Sequence, residues 1–240
     1  MVTESFNRGS SWSNPQELVP GDVGGRGPVK NKCIRLKDGS FLAPASVETP
    51  FEWRCFTDRS VDGGLTWLRG DFVPLDPRKI SGKGIIQPTL WEDETGAVHM
   101  LTRSTEGRIF SSVSYNKGTS WDPCRKTLLP NNNSGIDLTR LTDGRLVLVY
   151  NPVSGDWAAR TPISIAVSCD NGQNWEKLMD LEHDGQDNQC HAQEYSYSAI
   201  ITRKLPSEFS YPAIISREKT IFLTYTWQRK SIAFWQIEFC

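Results

Sequence analysis

Long apolar segments are missing from the sequence. Its longest apolar runs, residues 146–150 and 221–225, have the length of a β-strand and fall far short of the roughly 20 residues that span a bilayer. The polar residues 1–9 also lack the apolar stretch of a secretory signal. We therefore expect a soluble protein without a membrane span, and the sequence leaves its compartment open.

A charge excess of either sign is missing as well. The chain has 27 Lys and Arg against 28 Asp and Glu, for a formal net charge of −1. No general field therefore favours nucleic acid or an anionic membrane. We expect neither as a partner, and any site for an anion must be local.

Paired cysteines and clustered histidines are absent too. The six cysteines are scattered singly without a C-x-x-C pair, and the three histidines show no ligand or triad spacing. These absences argue against a zinc site, thioredoxin-like chemistry and Ser-His-Asp catalysis. We expect no metal and no cofactor.

Helical periodicity is nearly absent, because no stretch sustains apolar residues at i, i+3, i+4 and i+7 with caps. What the sequence has instead is a repeat. The pattern S-x-(D/N)-x-G-x-(T/S/N)-W occurs four times at intervals of 54 or 55 residues. The copies start at Ser5, Ser60, Ser114 and Ser168 and end at Trp12, Trp67, Trp121 and Trp175.

The repeated motif has the chemistry of a reinforced hairpin turn. Its Asp or Asn can bind nearby backbone N–H groups, its Gly adopts positive φ without steric cost, and its Trp packs the turn against a sheet. We interpret Asn7, Asp62, Asn116 and Asp170 as structural residues of these turns.

A second unit repeats between the boxes, in which two strands are joined by a polar turn. The clearest example places residues 142–145 between strands at residues 138–141 and 146–150, followed by a third strand at residues 163–168 and a fourth after the Trp. Four antiparallel strands per roughly 50 residues predict the blades of an all-β propeller.

The spacing predicts one propeller domain over residues 1–240. Its parts are a box-ended partial blade at residues 1–20 and whole blades at about residues 28–80, 84–130, 135–182 and 208–240. The count leads us to expect that one or more opening blades lie outside this sequence. Residues 194–201 nearly duplicate residues 208–215, and we interpret residues 183–207 as an insertion displayed as a loop.

These motifs resemble the sialidase (neuraminidase) superfamily and its BNR/Asp-box proteins. The more specific pieces of the resemblance are residues 27–32 (GPVKNK), 86–89 (IQPT), 130–135 (PNNNSG), 208–213 (EFSYPA) and 224–227 (TYTW). The resemblance implies a six-bladed propeller and an exo-α-sialidase type of glycoside hydrolase that acts on a terminal acidic sugar of glycans.

The resemblance also implies a site that uses three arginines for the substrate carboxylate, a Tyr with a Glu as nucleophile, and an Asp as acid/base. The second and third arginines match Arg103 and Arg160, and the first arginine and the Asp belong to the opening blade. A guanidinium fork suits a carboxylate because it makes paired, charge-assisted hydrogen bonds.

The nucleophile falls on Tyr211. A phenol has an ordinary pKa near 10 and needs its proton removed before it attacks. The resemblance places Gln87 where the partner Glu is expected, and an amide cannot accept that proton. Tyr211 would then use Glu48, Glu208 or another base.

Further polar residues are candidates for the central pocket because loops at the mouth of a propeller carry ligand contacts. They are Lys30, Asn31, Lys32, Glu48, Asn131 to Ser134 (with Asn133 as a substrate-binding candidate) and Arg229. Trp157 and Trp227 are candidates for stacking on a sugar.

Three functions stay open at this point. One is hydrolysis of a terminal acidic sugar, and one is a lyase or hydrolase reaction on uronic-acid polysaccharides, which Gln87 favours because fold does not fix reaction. The third is glycan binding by a non-catalytic or truncated propeller. In each case we expect a monomer and a glycan that carries a carboxylate.

Overall fold

The computed structural model describes residues 1–22, 25–184 and 207–239. Most of the proposed insertion at residues 183–207 lies outside these residues. The described chain contains β-strands and one short 3₁₀ turn, Pro77–Lys79. None of its helices is long and apolar enough to cross a membrane.

The strands form four antiparallel sheets in chain order. Blade 1 contains β1 (Ile34–Arg35), β2 (Phe41–Glu48), β3 (Trp53–Ser60) and β4 (Leu68–Arg69), and blade 2 contains β5 (Ile85–Glu92), β6 (Val98–Ser104), β7 (Arg108–Ser114) and β8 (Arg125–Pro130). Blade 3 contains β9 (Asp137–Arg140), β10 (Leu146–Tyr150), β11 (Ile163–Ser168) and β12 (Glu176–Glu182), and blade 4 contains β13 (Phe209–Arg217), β14 (Thr220–Trp227) and β15 (Ser231–Glu238).

The blades follow one another around a common axis. Strand β5 packs against β2 and β3 of blade 1 and against β9 of blade 3, and β9 packs in turn against β13. The all-β propeller arrangement predicted from the repeat is therefore confirmed. The predicted hairpin of blade 3 is confirmed as well, with Leu146 opposite Arg140 and Leu148 opposite Leu138.

The core is divided among the interfaces between neighbouring blades. Leu42 and Ile85 belong to the cluster between blades 1 and 2, Ile109 and Leu138 to that between blades 2 and 3, and Val147, Ile214 and Leu223 to that between blades 3 and 4. Each sheet thus buries its faces against the next sheet, which is why the blades stabilise one another.

The boxes form the turns that their sequence predicts. In the second box, the Asp62 carboxylate accepts hydrogen bonds from Ser60 Oγ at 2.8 Å and Thr66 N at 2.9 Å, and Trp67 Nε1 donates to Gly64 O at 3.0 Å. The Trp121 indole of the third box instead donates to Thr57 Oγ1 of blade 1 at 3.3 Å. This box therefore also joins two blades.

Candidate functional site

In each blade, a residue with left-handed backbone lies in the first strand or shortly before it. These residues are Lys30, Gln87, Asn133 and Tyr211, with φ values of 69°, 53°, 57° and 54°. A non-glycine residue in such a conformation costs about 1–3 kcal/mol, and such costs cluster at functional sites. The four residues mark the axis of the propeller as the candidate site.

Two of these residues use the same local device. Gln87 precedes Pro88 at a register shift between Ile86 and Thr89 in β5, and Tyr211 precedes Pro212 at a register shift between Ser210 and Ala213 in β13. Proline cannot donate to a ladder, so a bulge is where a strand accommodates it. Each bulge directs the residue before the proline away from regular pairing.

Arg103 comes from β6 and lies buried at this axis, with 4% of its surface exposed. Its Nη1 donates to Gln87 Oε1 at 2.9 Å and its Nε donates to Asn133 Oδ1 at 3.0 Å. The Asn133 amide nitrogen donates in turn to Asp156 Oδ1 at 2.7 Å. Gln87 therefore orients an arginine, a role that its amide oxygen can serve.

Tyr211 lies between two arginines. Its hydroxyl lies close enough to Arg103 and Arg160 for hydrogen bonds from both to contribute to its pKa, and the Arg160 guanidinium lies 5.4 Å from the centre of its ring. Burial by itself raises the pKa of Tyr211, but these hydrogen bonds and the two positive charges outweigh it and lower the pKa below the ordinary value of 10. The two arginines therefore make the phenolate easier to form than it is for a tyrosine in water.

Glu208 is occupied by arginines. Its Oε1 lies 3.3 Å from Arg160 Nη1 and its Oε2 lies 2.5 Å from Arg229 Nε. Ser210 Oγ also donates to Oε1, at 3.3 Å. Glu208, Arg160 and Arg229 are thus brought together beside Tyr211.

Lys32 is paired with a buried carboxylate of blade 3. Its amine is 3.0 Å from both carboxylate oxygens of Asp137 and donates to Leu138 O at 2.7 Å. Asp137 also accepts hydrogen bonds from Thr89 Oγ1 at 2.9 Å and from Ile214 N at 3.0 Å. One buried carboxylate of blade 3 therefore contacts the three other blades.

The remaining candidates lie at the rim. Glu48 is exposed at the end of β2, and its charge acts on Arg103. Trp157 is 68% exposed, and the Arg160 guanidinium lies 5.7 Å from its ring centre. Trp227 is 38% exposed at the end of β14.

A cavity of about 500 Å³ opens beside the axis, where blade 4 faces blade 1. Lys30, Lys32 and Asp137 form its polar wall, and Ile214 and Phe234 belong to its apolar wall. Among the described residues, no group of three or more His, Cys, Asp or Glu side chains could bind a metal ion. The chemistry that these residues offer is that of clustered cations around a tyrosine.

Residues 1–223 match the family model of the BNR repeat-like domain. The chain belongs to the BNR repeat-like domain family. No curated protein matches the sequence.

A Dyadobacter fermentans protein of unknown function is 16% identical to this BNR repeat-like chain, with a TM-score of 0.65 over 94% of this chain and 58% of that one. The leech intramolecular trans-sialidase complexed with 2,7-anhydro-Neu5Ac is 13% identical, with a TM-score of 0.60 over 98% of this chain and 36% of that one. Trypanosoma rangeli sialidase in complex with the inhibitor DANA is 14% identical, with a TM-score of 0.58 over 89% of this chain and 36% of that one.

These likenesses show a sialidase-like propeller fold, which the sequence predicted. The BNR repeat-like chain spans little more than half of the Dyadobacter structure and about a third of each enzyme structure.

Sequence reasoning missed Asp137 and the paired bulges. Asp137 opens an apolar strand, and nothing near it in the sequence indicates that its partners are Lys32, Thr89 and Ile214. The bulges carried a weak signal, since Gln87-Pro88 and Tyr211-Pro212 stand at corresponding places in the first strands of two blades.

Proposed function

We propose that this chain is a sialidase-like glycoside hydrolase that binds the carboxylate of a terminal acidic sugar through Arg103 and Arg160. The observation that carries the proposal is the position of Tyr211, which lies against both arginines in a strained backbone conformation. Each guanidinium offers several N–H donors in one plane, which suits a carboxylate.

In the proposed reaction, Tyr211 Oη bonds to the anomeric carbon as the glycosidic carbon–oxygen bond breaks. The leaving oxygen takes up, through solvent, the proton that the Tyr211 hydroxyl releases. A water molecule then bonds to the anomeric carbon as the tyrosyl–sugar bond breaks, and the proton that this water gives up restores the phenol. Sialidases use a tyrosine nucleophile in this way. Arg103 and Arg160, which lower the pKa of Tyr211, would help the hydroxyl to lose its proton here.

Arg160 must change partner for this function. Its guanidinium lies 3.3 Å from Glu208, and Arg229 lies on the other oxygen of the same carboxylate. A sugar carboxylate can displace Glu208 from Arg160 while Arg229 keeps Glu208 paired. The exchange leaves no buried charge without a partner, which keeps its cost low.

A specific observation favours a second candidate, a lyase acting on uronic-acid polysaccharides. Gln87, where the resemblance places a Glu, contacts Arg103 rather than Tyr211. A phenolate between arginines could remove the proton next to a carboxylate whose charge Arg103 neutralises. The glycosidic carbon–oxygen bond on the neighbouring carbon would then break as a carbon–carbon double bond forms, and the leaving oxygen would take up a proton. The products would contain an unsaturated uronate instead of a free terminal sugar.

The test is to incubate the purified chain with a fluorogenic sialoside and, separately, with uronic-acid polysaccharides. The proposal expects release of the fluorophore by the native chain and its loss in Tyr211→Phe, with binding of the sugar retained. Ultraviolet absorbance of an unsaturated product without fluorophore release would select the lyase. Binding without either product would reduce the function to glycan recognition.

A further inference from the structure

Lys30 lies at the centre of a tight turn that reaches from blade 1 to the axis. The turn is closed by a hydrogen bond from Asn31 N to Val29 O at 2.9 Å, and Lys30 has a φ of 69°. Although its stem is partly exposed, its amine points inward, where it donates to Pro212 O at 2.6 Å and to Ile136 O at 2.7 Å. One side chain of blade 1 therefore contacts the backbone of both blade 3 and blade 4.

Pro212 is the second residue of the bulge that presents Tyr211. The Lys30 stem and the Tyr211 ring also lie side by side on Gly135, because a Cβ at that glycine would come within 3.1 Å of Lys30 Cε and 3.2 Å of Tyr211 Cδ1. The Lys30 amine is thus hydrogen-bonded to the bulge, and the Lys30 stem and the Tyr211 ring pack against the same glycine. A larger residue at position 135 would push the two apart.

Asn31, the next residue of the turn, is hydrogen-bonded to the bulge of β5 that carries Gln87. Asn31 Nδ2 donates to Gln87 O at 3.1 Å and to Pro88 O at 2.9 Å. The two bulges that carry Tyr211 and Gln87 are therefore both fixed by adjacent residues of one turn, through carbonyl groups that the bulges leave without ladder partners.

From these contacts we infer that Lys30 is a positioning residue, which holds the bulge of β13 so that Tyr211 stays against Arg103 and Arg160. Two hydrogens are sufficient for the two carbonyl acceptors, so a neutral amine can serve as well as an ammonium. Burial, opposed in part by Asp137 and reinforced by the charges of Lys32 and Arg103, lowers the pKa of Lys30 to about 7. The contacts therefore persist on either side of neutral pH.

The inference concerns the tyrosine on which the proposed function rests, but its test needs no turnover, so the two can fail separately. The experiment is an NMR titration of the chain labelled with ¹³C at tyrosine Cζ, with Tyr211→Phe identifying the Tyr211 signal. The titration is repeated in Lys30→Met, which keeps the apolar stem and removes the donors. The matched control is Lys126→Met on the exposed surface of β8.

We expect the titration midpoint of Tyr211 to move upward toward its ordinary value in Lys30→Met, because the released bulge lets the phenol leave the two arginines. Lys126→Met should superimpose on the native curve. A folded Lys30→Met chain with the native Tyr211 midpoint would overturn the inference.

A second measurement covers the case in which Lys30→Met does not fold. Reductive methylation of the native chain, mapped by mass spectrometry, should modify Lys30 far more slowly than Lys126, since the Lys30 amine points inward and donates to two carbonyl groups. Modification of Lys30 at the rate of Lys126 would show that the amine is free and would overturn the inference.

Discussion

Replacing Asp137 by Asn removes the charge at the point where the four blades meet. The native carboxylate accepts from Lys32, Thr89 and Ile214 and is 2% exposed. An asparagine keeps the shape and one acceptor oxygen, but its NH₂ group replaces the oxygen that faces Ile214 N. The NH₂ group and the N–H of Ile214 are then two buried donors that face each other without an acceptor. The Lys32 ammonium also loses its counter-charge.

The expected loss in the free energy of unfolding depends on how deeply Asp137 and Lys32, the two partners of the ion pair, are buried. Removing one partner of a buried ion pair costs about 3–5 kcal/mol. The Lys32 side chain keeps 32% of its surface exposed and can be rehydrated, so we take the lower end, about 3 kcal/mol. This is a large share of the roughly 5–15 kcal/mol that stabilise a typical domain.

Urea unfolding followed by tryptophan fluorescence measures the change. With a slope of about 3 kcal/mol per molar urea, the midpoint of Asp137→Asn should fall by about 1 M. The control is Asp143→Asn, which removes a carboxylate paired with Arg145 at an exposed hairpin turn and should leave the midpoint unchanged. A native midpoint in Asp137→Asn would refute the idea that this carboxylate joins the blades.

Gly118→Ala should destabilise the chain by more than Gly63→Ala. Both positions have positive φ, but a Cβ at Gly118 would lie 2.7 Å from side-chain atoms of Leu42 and Thr57, whereas the space at Gly63 is open. Equal urea midpoints for the two variants would contradict this prediction. The stability of the unmutated chain should rise between pH 7 and 10.5, because Lys30 binds a proton in that range only in the unfolded state. Lys30→Met should remove this part of the rise, and parallel curves for the two chains would be the contrary result. Arg103→Lys should weaken binding of a sialoside about tenfold in calorimetry, since Lys cannot reproduce the guanidinium fork. The control Arg125→Lys on the surface should leave binding unchanged, and equal effects of the two changes would show that Arg103 has no special role.

The blades could be predicted from the sequence because their determinants are local. A box such as residues 60–67 specifies its own turn through Ser60, Asp62 and Gly64, and its bonds span at most four residues. The constant interval between the boxes then gives the repeat. The same reasoning predicted the strands of blade 3 to within a residue.

The candidate site could be predicted only in part. Arg103, Arg160 and Tyr211 came from the resemblance, and the structure brings the three together. The partners of Lys30 lie 106 and 182 residues away in the sequence, so no local pattern reveals them. The bulges were missed because regular alternation predicts strands without indicating where a strand is interrupted.

Glu208 illustrates the same limit. As a carboxylate near Tyr211 in sequence, it was a reasonable candidate for the base. The loop before β11 brings Arg160 to it across 48 residues, and the turn after β14 brings Arg229. Its oxygens are engaged by these cations, so Glu208 as the base for Tyr211 stays a prediction that requires the pairing to open.

The most direct test of the account is a crystal structure of the chain soaked with sialic acid. We expect the sugar carboxylate at hydrogen-bond distance, about 3 Å, from the guanidinium groups of both Arg103 and Arg160. The Tyr211 hydroxyl should face the anomeric carbon, and Glu208 should remain on Arg229. A sugar bound away from the axis, with Arg160 still on Glu208, would contradict the account.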